Sequence, residues 1–288
     1  MLEAALVVVR FGHFTAALVL FGWLLFPLAV NHGTPPPRRA IVCFATLALL
    51  SGVGWFVLTA GSIAGDLSKA LEPATLNAVV FQTDFGPAWL GRLALIAAII
   101  PWAAMAPRHP RSAPLTAASG VVVASLAATG HAQIGDGPVW ALHAGADALH
   151  LLAAGAWLGG IVGLAAMLRG RPDANATEAA HGFAGLGYAA VAVLVASGLV
   201  NTLTLLSGPT ALVRTDYGRL LSIKLALFVV MLALAAANRF RLAQRVGWET
   251  GPTLAAGLRR NVVVELALGV AVITAVSLLG TLSTTAPA

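Results

Sequence analysis

Charged residues are scarce in this sequence. Asp, Glu, Lys and Arg together make up 10% of the 288 residues, whereas hydrophobic residues make up 59%, and the mean hydropathy is +0.88. Soluble domains carry roughly a quarter of their residues as charged side chains, so this composition excludes an ordinary soluble protein. The chain is predicted to be an integral membrane protein.

Cysteine and nucleotide-binding motifs are scarce as well. Cys43 is the single cysteine, which excludes disulfides within the chain, iron–sulfur clusters and thiolate metal sites. Any bound metal must therefore use nitrogen, oxygen or methionine sulfur. A Walker motif is absent, so ATP-driven pumping by this chain alone is not expected. The net charge of +6 comes from basic residues in short loops, which indicates membrane topology rather than nucleic-acid binding.

Long apolar runs are abundant, and a helix needs about 20 apolar residues to cross the hydrocarbon core. The first run is too long for the apolar region of a cleavable signal and is expected to stay in the membrane. Eight membrane-spanning helices are predicted, at about 4–30, 39–62, 88–106, 113–131, 139–168, 181–206, 217–238 and 258–282. The segment at about 63–87 is too polar to span and is predicted to form an interfacial helix and loop. The whole chain, 1–288, is thus an all-α, polytopic, single transmembrane domain.

Arginine is distributed unequally between the two sides of the predicted bundle. One set of loops holds Arg38, Arg39, Arg108, Arg111, Arg169, Arg171, Arg239, Arg241, Arg245, Arg259 and Arg260. The opposite side holds only Lys69, Arg214 and Arg219. Because basic residues concentrate on the cytoplasmic side of membrane proteins, both termini are predicted to be periplasmic.

Polar residues cluster where the fourth span ends and the fifth begins, on the predicted outer side. His143, Asp147 and His150 fall within roughly 60° of one another on a helix, and His150 lies about 10 Å deeper than His143. His131 closes the preceding span and is predicted to join them. Imidazole and carboxylate groups bind Cu, Zn, Fe or Ni. We therefore predict an outward-facing metal site, with Asp147 orienting a ligating histidine.

Other polar residues within the spans have weaker assignments. His13, on the same side, is a further candidate ligand, although a hydrogen bond to a backbone carbonyl would equally explain it. Arg10 and Arg92 are expected to extend to the lipid headgroups, and Lys224 is a candidate partner of Asp147. Further along the predicted pathway, Trp157 would line it below His150, and Glu265 would provide an inner exit or bond to Asn238 or Arg239.

Two alternatives compete with a metal-transport site. In the first, the polar side chains bind no metal and only form hydrogen bonds between helices that hold the bundle together. Alternatively, His13 opposite His150 or His131 would ligate a haem, as in membrane b-type cytochromes.

Several motifs in order along the chain resemble the copper resistance D (CopD/PcoD) family of bacterial inner-membrane proteins. They are TDFGPAWLGR at 83–92, GHA at 130–132, HAGADALHLLAAGAWLGG at 143–160, TDYGRLLSIKLAL at 215–227, AANRF at 236–240 and RRNVVVELALG at 259–269. The resemblance implies eight helices, location in the inner membrane, and copper as the cargo. The family's polar positions fall on His131, His143, Asp147, His150, Trp157, Lys224 and Glu265.

The sequence and this resemblance together predict a copper-binding transport protein that is not an enzyme. Copper would be captured at the outer histidines and pass toward the cytoplasm. Some relatives carry a fused periplasmic copper-binding domain that this chain lacks, so a separate periplasmic chaperone is a candidate partner. Imidazole binds either oxidation state of copper, so Cu(I) and Cu(II) both stay open. A sensor or assembly factor that holds copper without transporting it is a further alternative.

Overall fold

The computed structural model describes residues 2–108, 112–129, 137–169, 174–205, 208, 210–245 and 252–282. Within these ranges the chain is helical and contains no strand. The α-helices are α1 (Leu2–Ala29), α2 (Arg38–Ile63), α3 (Pro73–Gln82), α4 (Phe85–Met105), α5 (Ala113–Ala124), α6 (Gly137–Met167), α7 (Ala174–Leu205), α8 (Ala211–Arg214), α9 (Asp216–Arg245) and α10 (Pro252–Leu279). Long apolar runs with few internal charges explain the long helices, since a backbone in the membrane must bond within its own helix.

Seven helices in the described residues are long and apolar enough to cross a membrane: α1, α2, α4, α6, α7, α9 and α10. The all-α, polytopic membrane architecture predicted from the sequence is therefore confirmed. The span predicted at 113–131 is a shorter apolar helix, because α5 ends at Ala124 and a 3₁₀ turn follows over Ser125–Thr129. The count of eight spans and the location of the termini stay predictions.

Arg92 of α4 bonds to the end of α5. The Arg92 side chain donates from Nε to the Ser125 hydroxyl over 2.9 Å and from Nη2 to the Ser125 carbonyl. Ser125 is the first residue of the 3₁₀ turn, so these bonds connect α4 to the junction between α5 and that turn.

The segment predicted to be interfacial contains a 3₁₀ turn at Leu67–Lys69 and the ten-residue helix α3. Asp66 begins the turn by accepting a hydrogen bond from the Ser68 amide at 2.9 Å. A ten-residue helix is about 15 Å long, which is too short to cross the bilayer. Its position at the membrane surface stays a prediction.

Helix α1 is central and packs against α2, α5, α6 and α10. Its closest approach is to α6, where Gly22 lies against the backbone of Gly155 and Gly159. A side chain at Gly22 or Gly159 would collide with backbone of the opposite helix, and one at Gly155 would press on the Phe21 ring. Small residues therefore permit this contact. The contact fixes α6, and with it the polar face described next.

Candidate metal centre

Three polar side chains lie on one face of α6, in the half that begins the helix. His143 is buried with 3% of its surface exposed, while Asp147 and His150 are partly exposed. Successive offsets of four and three residues return to the same helical face, which is why the sequence spacing predicts this arrangement. The polar face is turned toward α7, as the hydrogen bonds of Asp147 and His150 demonstrate.

Asp147 is bonded to Asn201 on α7. The Asn201 amide nitrogen Nδ2 donates to Asp147 Oδ1 at 3.1 Å. The amide must donate here, because an ionised carboxylate can only accept. The other end of the amide, Asn201 Oδ1, is buried and has no hydrogen-bond donor. Asp147 and Asn201 thus bring a carboxylate and an unbonded carbonyl oxygen into the same region. Both groups are oxygen ligands that attract a cation.

His150 is bonded to Ser197, one turn away from Asn201 on α7. Its Nδ1 lies 3.0 Å from the Ser197 hydroxyl oxygen. The ring lies against Gly198, since a Cβ at that position would be in ordinary van der Waals contact, 3.5 Å from His150 Cε1 and 3.7 Å from Nδ1. The Nδ1–Cε1 edge of the imidazole therefore faces α7.

Helix α9 adds a cation and a phenol to this region. Lys224 interacts electrostatically with both Asp147 and His150, and Tyr217, which is buried, interacts with Asp147. In the described part of the chain, the ion pairs within 4 Å are His32–Glu178 and Arg219–Asp216. The predicted interaction of Lys224 with Asp147 is thus present at longer range, without a direct ion pair.

The described residues do not by themselves provide a complete set of ligands for a metal ion. No group of three or more His, Cys, Asp or Glu side chains within them is placed to hold one metal ion. His131, the fourth predicted ligand, lies outside the described residues. A shared site of His131 with the polar face of α6 therefore stays a prediction.

The face of α6 that carries the histidines continues into a cavity. Trp157, one heptad below His150, is buried and meets the Phe228 ring edge-on, with 5.8 Å between the ring centroids. Beyond this pair lies a cavity of about 120 Å³, bounded by residues of α6, α7, α9 and α10. Glu265 of α10 is buried and lines it together with Trp157. The cavity walls are otherwise mostly apolar.

His13 belongs to a different environment from the polar face of α6. It is fully buried and bonds through Nδ1 to the Ala48 carbonyl at 2.9 Å. Its ring lies against two indoles, at 5.4 Å from Trp89 and 5.8 Å from Trp55 between centroids. The prediction of a carbonyl-bonded histidine is confirmed. Its Nε2 is buried and has no hydrogen-bond partner among the described residues. The role of His13 as a metal ligand stays a prediction.

The expectation that Arg10 and Arg92 reach the headgroups is wrong for Arg92. Arg92 is 2% exposed and stacks over Trp89 at 4.3 Å. Arg10 stacks over Trp55 at 4.5 Å and packs against the backbone at Gly280. Stacking on indole faces stabilises a guanidinium where water is scarce, which explains why both stay inside the bundle. Arg92 therefore has a supporting role in the fold, and its place along the predicted pathway stays a prediction.

The Nδ1 atoms of the two histidines expected for a haem bond to different helices. The contacts of Gly22 with Gly155 and Gly159 place His13 and His150 at similar depth on α1 and α6. Nδ1 of His13 bonds to α2, whereas Nδ1 of His150 bonds to α7. His131, the other candidate haem ligand, lies outside the described residues. A haem between His13 and His150 or His131 therefore stays an alternative prediction.

Sequence reasoning missed the residues that α7 contributes. Ser197 and Asn201 are four residues apart, which places them on one helical face. A polar pair within an apolar run indicates a functional face in the same way as the histidines of α6. It is a weaker indication, because serine and asparagine occur commonly as contacts between membrane helices.

Comparison with known proteins agrees with the motifs. The family description "Copper resistance protein D-like, N-terminal domain" matches residues 1–142, and "Copper resistance protein D" matches residues 177–279. The chain is 35% identical to Copper resistance protein D of Pseudomonas syringae pv. tomato, covering 96% of both chains. It is 29% identical to Inner membrane protein YebZ of Escherichia coli (strain K12), covering 98% of this chain and 99% of the relative.

A third relative is Copper transport protein CutJ of Bacillus subtilis (strain 168), at 30% identity over 75% of this chain and 40% of that protein. No solved structure matches the chain. The ordered motifs, the polytopic helical fold and a match to a relative over almost the entire length lead to one assignment: the chain belongs to the copper resistance protein D family.

Proposed function

We propose that this protein binds copper and carries it across the bacterial inner membrane, from the periplasmic side toward the cytoplasm. Relatives named for copper resistance and copper transport support copper as the cargo. A relative named as an inner membrane protein supports the location.

The polar face of α6 is the observation that carries this proposal. A charged side chain inside a membrane helix costs at least about 2.5–3.5 kcal/mol on insertion scales, so it is retained for a partner or a ligand. His143 and His150 offer imidazoles and Asp147 offers a carboxyl group, which are ligands that copper accepts. Asn201 fixes the carboxylate by its hydrogen bond.

The route inward follows the same face of α6. Trp157 and Phe228 form an aromatic barrier between the histidines and the inner cavity. The cavity has room for several water molecules, which would hydrate an ion after it passes the barrier. Glu265 then supplies a carboxylate at the inner end of the path.

The direction of transport rests on the distribution of arginine. The loops that join α1 to α2 and α6 to α7 are rich in arginine, so this end is assigned to the cytoplasm. The end that holds His143 is then periplasmic, where a separate copper chaperone would deliver the ion.

Metal analysis of the purified protein tests the binding step. Wild-type protein in nanodiscs, loaded with copper and desalted, is expected to retain the metal, and a His143→Ala, His150→Ala double variant is expected to lose it. His32→Asn is the matched control, because His32 is exposed near the opposite end and pairs with Glu178. Asparagine also tolerates the positive φ of 60° at this position. If the wild type and the double variant retain the same amount of copper per protein, the polar face of α6 is not the copper-binding site.

Flux measurements test the transport step separately. Proteoliposomes with a copper indicator inside are expected to fill when they contain the wild type and to stay empty with the double variant. Copper that is retained by the protein without flux would instead assign it to copper sensing or to assembly of a partner.

A further inference from the structure

The hydrogen bonds of Ser197 determine which nitrogen of His150 carries the proton. A serine hydroxyl has one hydrogen to donate. Ser197 Oγ lies 2.5 Å from the Val193 carbonyl oxygen and 3.5 Å from that of Leu194. Carbonyl oxygens only accept, so the hydroxyl hydrogen is directed to Val193. Toward His150, Ser197 therefore offers a lone pair.

The imidazole must donate across this contact. His150 Nδ1 is 3.0 Å from Ser197 Oγ, and the Leu194 carbonyl also interacts favourably with the ring. Both neighbours on this side are acceptors, which favours hydrogen on Nδ1. In the neutral ring the second nitrogen, Nε2, then bears the lone pair. Because the Nδ1–Cε1 edge faces Gly198 of α7, Nε2 is turned away from that helix.

We propose that Ser197 is a positioning residue of the metal centre: it holds His150 in the Nδ1–H tautomer, so that Nε2 is the atom that binds the metal. Metal-ligating histidines generally donate their other N–H to an acceptor that fixes tautomer and ring orientation. Here Ser197, itself oriented by the Val193 carbonyl, takes that place. The assignment of Nε2 as a copper ligand rests on the proposed function, whereas the tautomer does not.

The tautomer is measured in metal-free protein. Protein labelled with ¹³C,¹⁵N-histidine in nanodiscs gives ring chemical shifts that distinguish Nδ1–H from Nε2–H, and His150→Gln identifies the His150 signals by their loss. The wild type is expected to show Nδ1–H at His150. Ser197→Ala is expected to shift the ring toward Nε2–H, and Ser197→Thr, which keeps the hydroxyl, is expected to restore the wild-type signals. An Nε2–H ring in the wild type, or unchanged shifts in Ser197→Ala, would overturn the proposal.

Copper affinity gives the second readout. Ser197→Ala is expected to weaken copper binding by about 10–100-fold, the usual loss when the partner of a ligating histidine is removed. Ser222→Ala is the matched control, because its hydroxyl bonds to the Gly218 carbonyl four residues earlier, as Ser197 bonds to Val193, but meets no histidine. Ser197→Thr and Ser222→Ala are expected to bind within a few-fold of the wild type. Equal losses in Ser197→Ala and Ser222→Ala would reduce Ser197 to a packing residue.

The two proposals fail in different ways. A wild-type protein with the Nδ1–H tautomer but without copper affinity would overturn the proposed function. A protein that binds copper through the polar face with His150 in the other tautomer would overturn the role of Ser197 alone.

Discussion

Replacing Gly159 by alanine tests whether the close contact of α1 and α6 sets the position of the polar face. A methyl group at Gly159 would stand closest to Gly22 Cα, and 2.6 Å from both the carbonyl carbon of Gly22 and the amide nitrogen of Trp23. Ordinary contacts of this kind are 3.4–4 Å. All three obstacles are backbone atoms, so no side chain can rotate away, and the helices must separate by at least about 0.8 Å.

A gap of that size forfeits about a quarter to a half of the dispersion energy of each affected atom pair. Overpacking of a core costs about 1–3 kcal/mol, and backbone on the opposing side places Gly159→Ala near the top of that range, at about 3 kcal/mol. For a chain of this size the corresponding fall in Tm is about 5–10 °C. Thermal unfolding followed by tryptophan fluorescence in one fixed detergent measures it.

Gly185→Ala is the matched control, since a Cβ there meets nothing within 4 Å. Alanine is the better helix former by about 1 kcal/mol, so this variant is expected to be as stable as the wild type or slightly more stable. Equal Tm values for Gly159→Ala and Gly185→Ala would refute the close packing of α1 on α6.

The remaining predictions concern the two charged interior regions. Arg92→Lys keeps the charge but loses the planar pair of bonds to Ser125 and the stack on Trp89, so we expect a loss of about 1.5–3 kcal/mol in unfolding free energy. Arg219→Lys, in an exposed ion pair, should cost less than about 1 kcal/mol in the same thermal assay, and equal effects would count against the role of Arg92. Asp147→Lys and Lys224→Asp should each lower the folded yield, because each places two like charges in the same region of the bundle. The double exchange should recover folded yield in size-exclusion chromatography, and a double variant no better than either single change would show that the residues are not coupled.

The sequence predicted the features that depend on one helix. The spacing of His143, Asp147 and His150 gave their common face correctly, because helical periodicity is a local property. Apolar run length likewise predicted the seven long helices. These predictions needed no knowledge of which helices are neighbours.

The errors arose where two distant segments meet. Arg92 was expected at the headgroups, yet its position depends on Ser125, which is 33 residues away. The burial of Arg92 thus follows from a contact between two helices, which the spacing of residues within one helix does not reveal. His13 and His150 lie at similar depth, but only helix packing reveals that their Nδ1 atoms bond to different helices.

Among the described residues, the cavity beneath Trp157 is open on one side. Its lining includes Tyr188 and Ala236, which are both exposed at the surface of the bundle. In a bilayer this surface would face the hydrocarbon tails of the surrounding lipids. The width and water content of the proposed passage are therefore expected to vary with acyl-chain length and saturation, so flux should respond to the choice of lipid even when every side chain is unchanged.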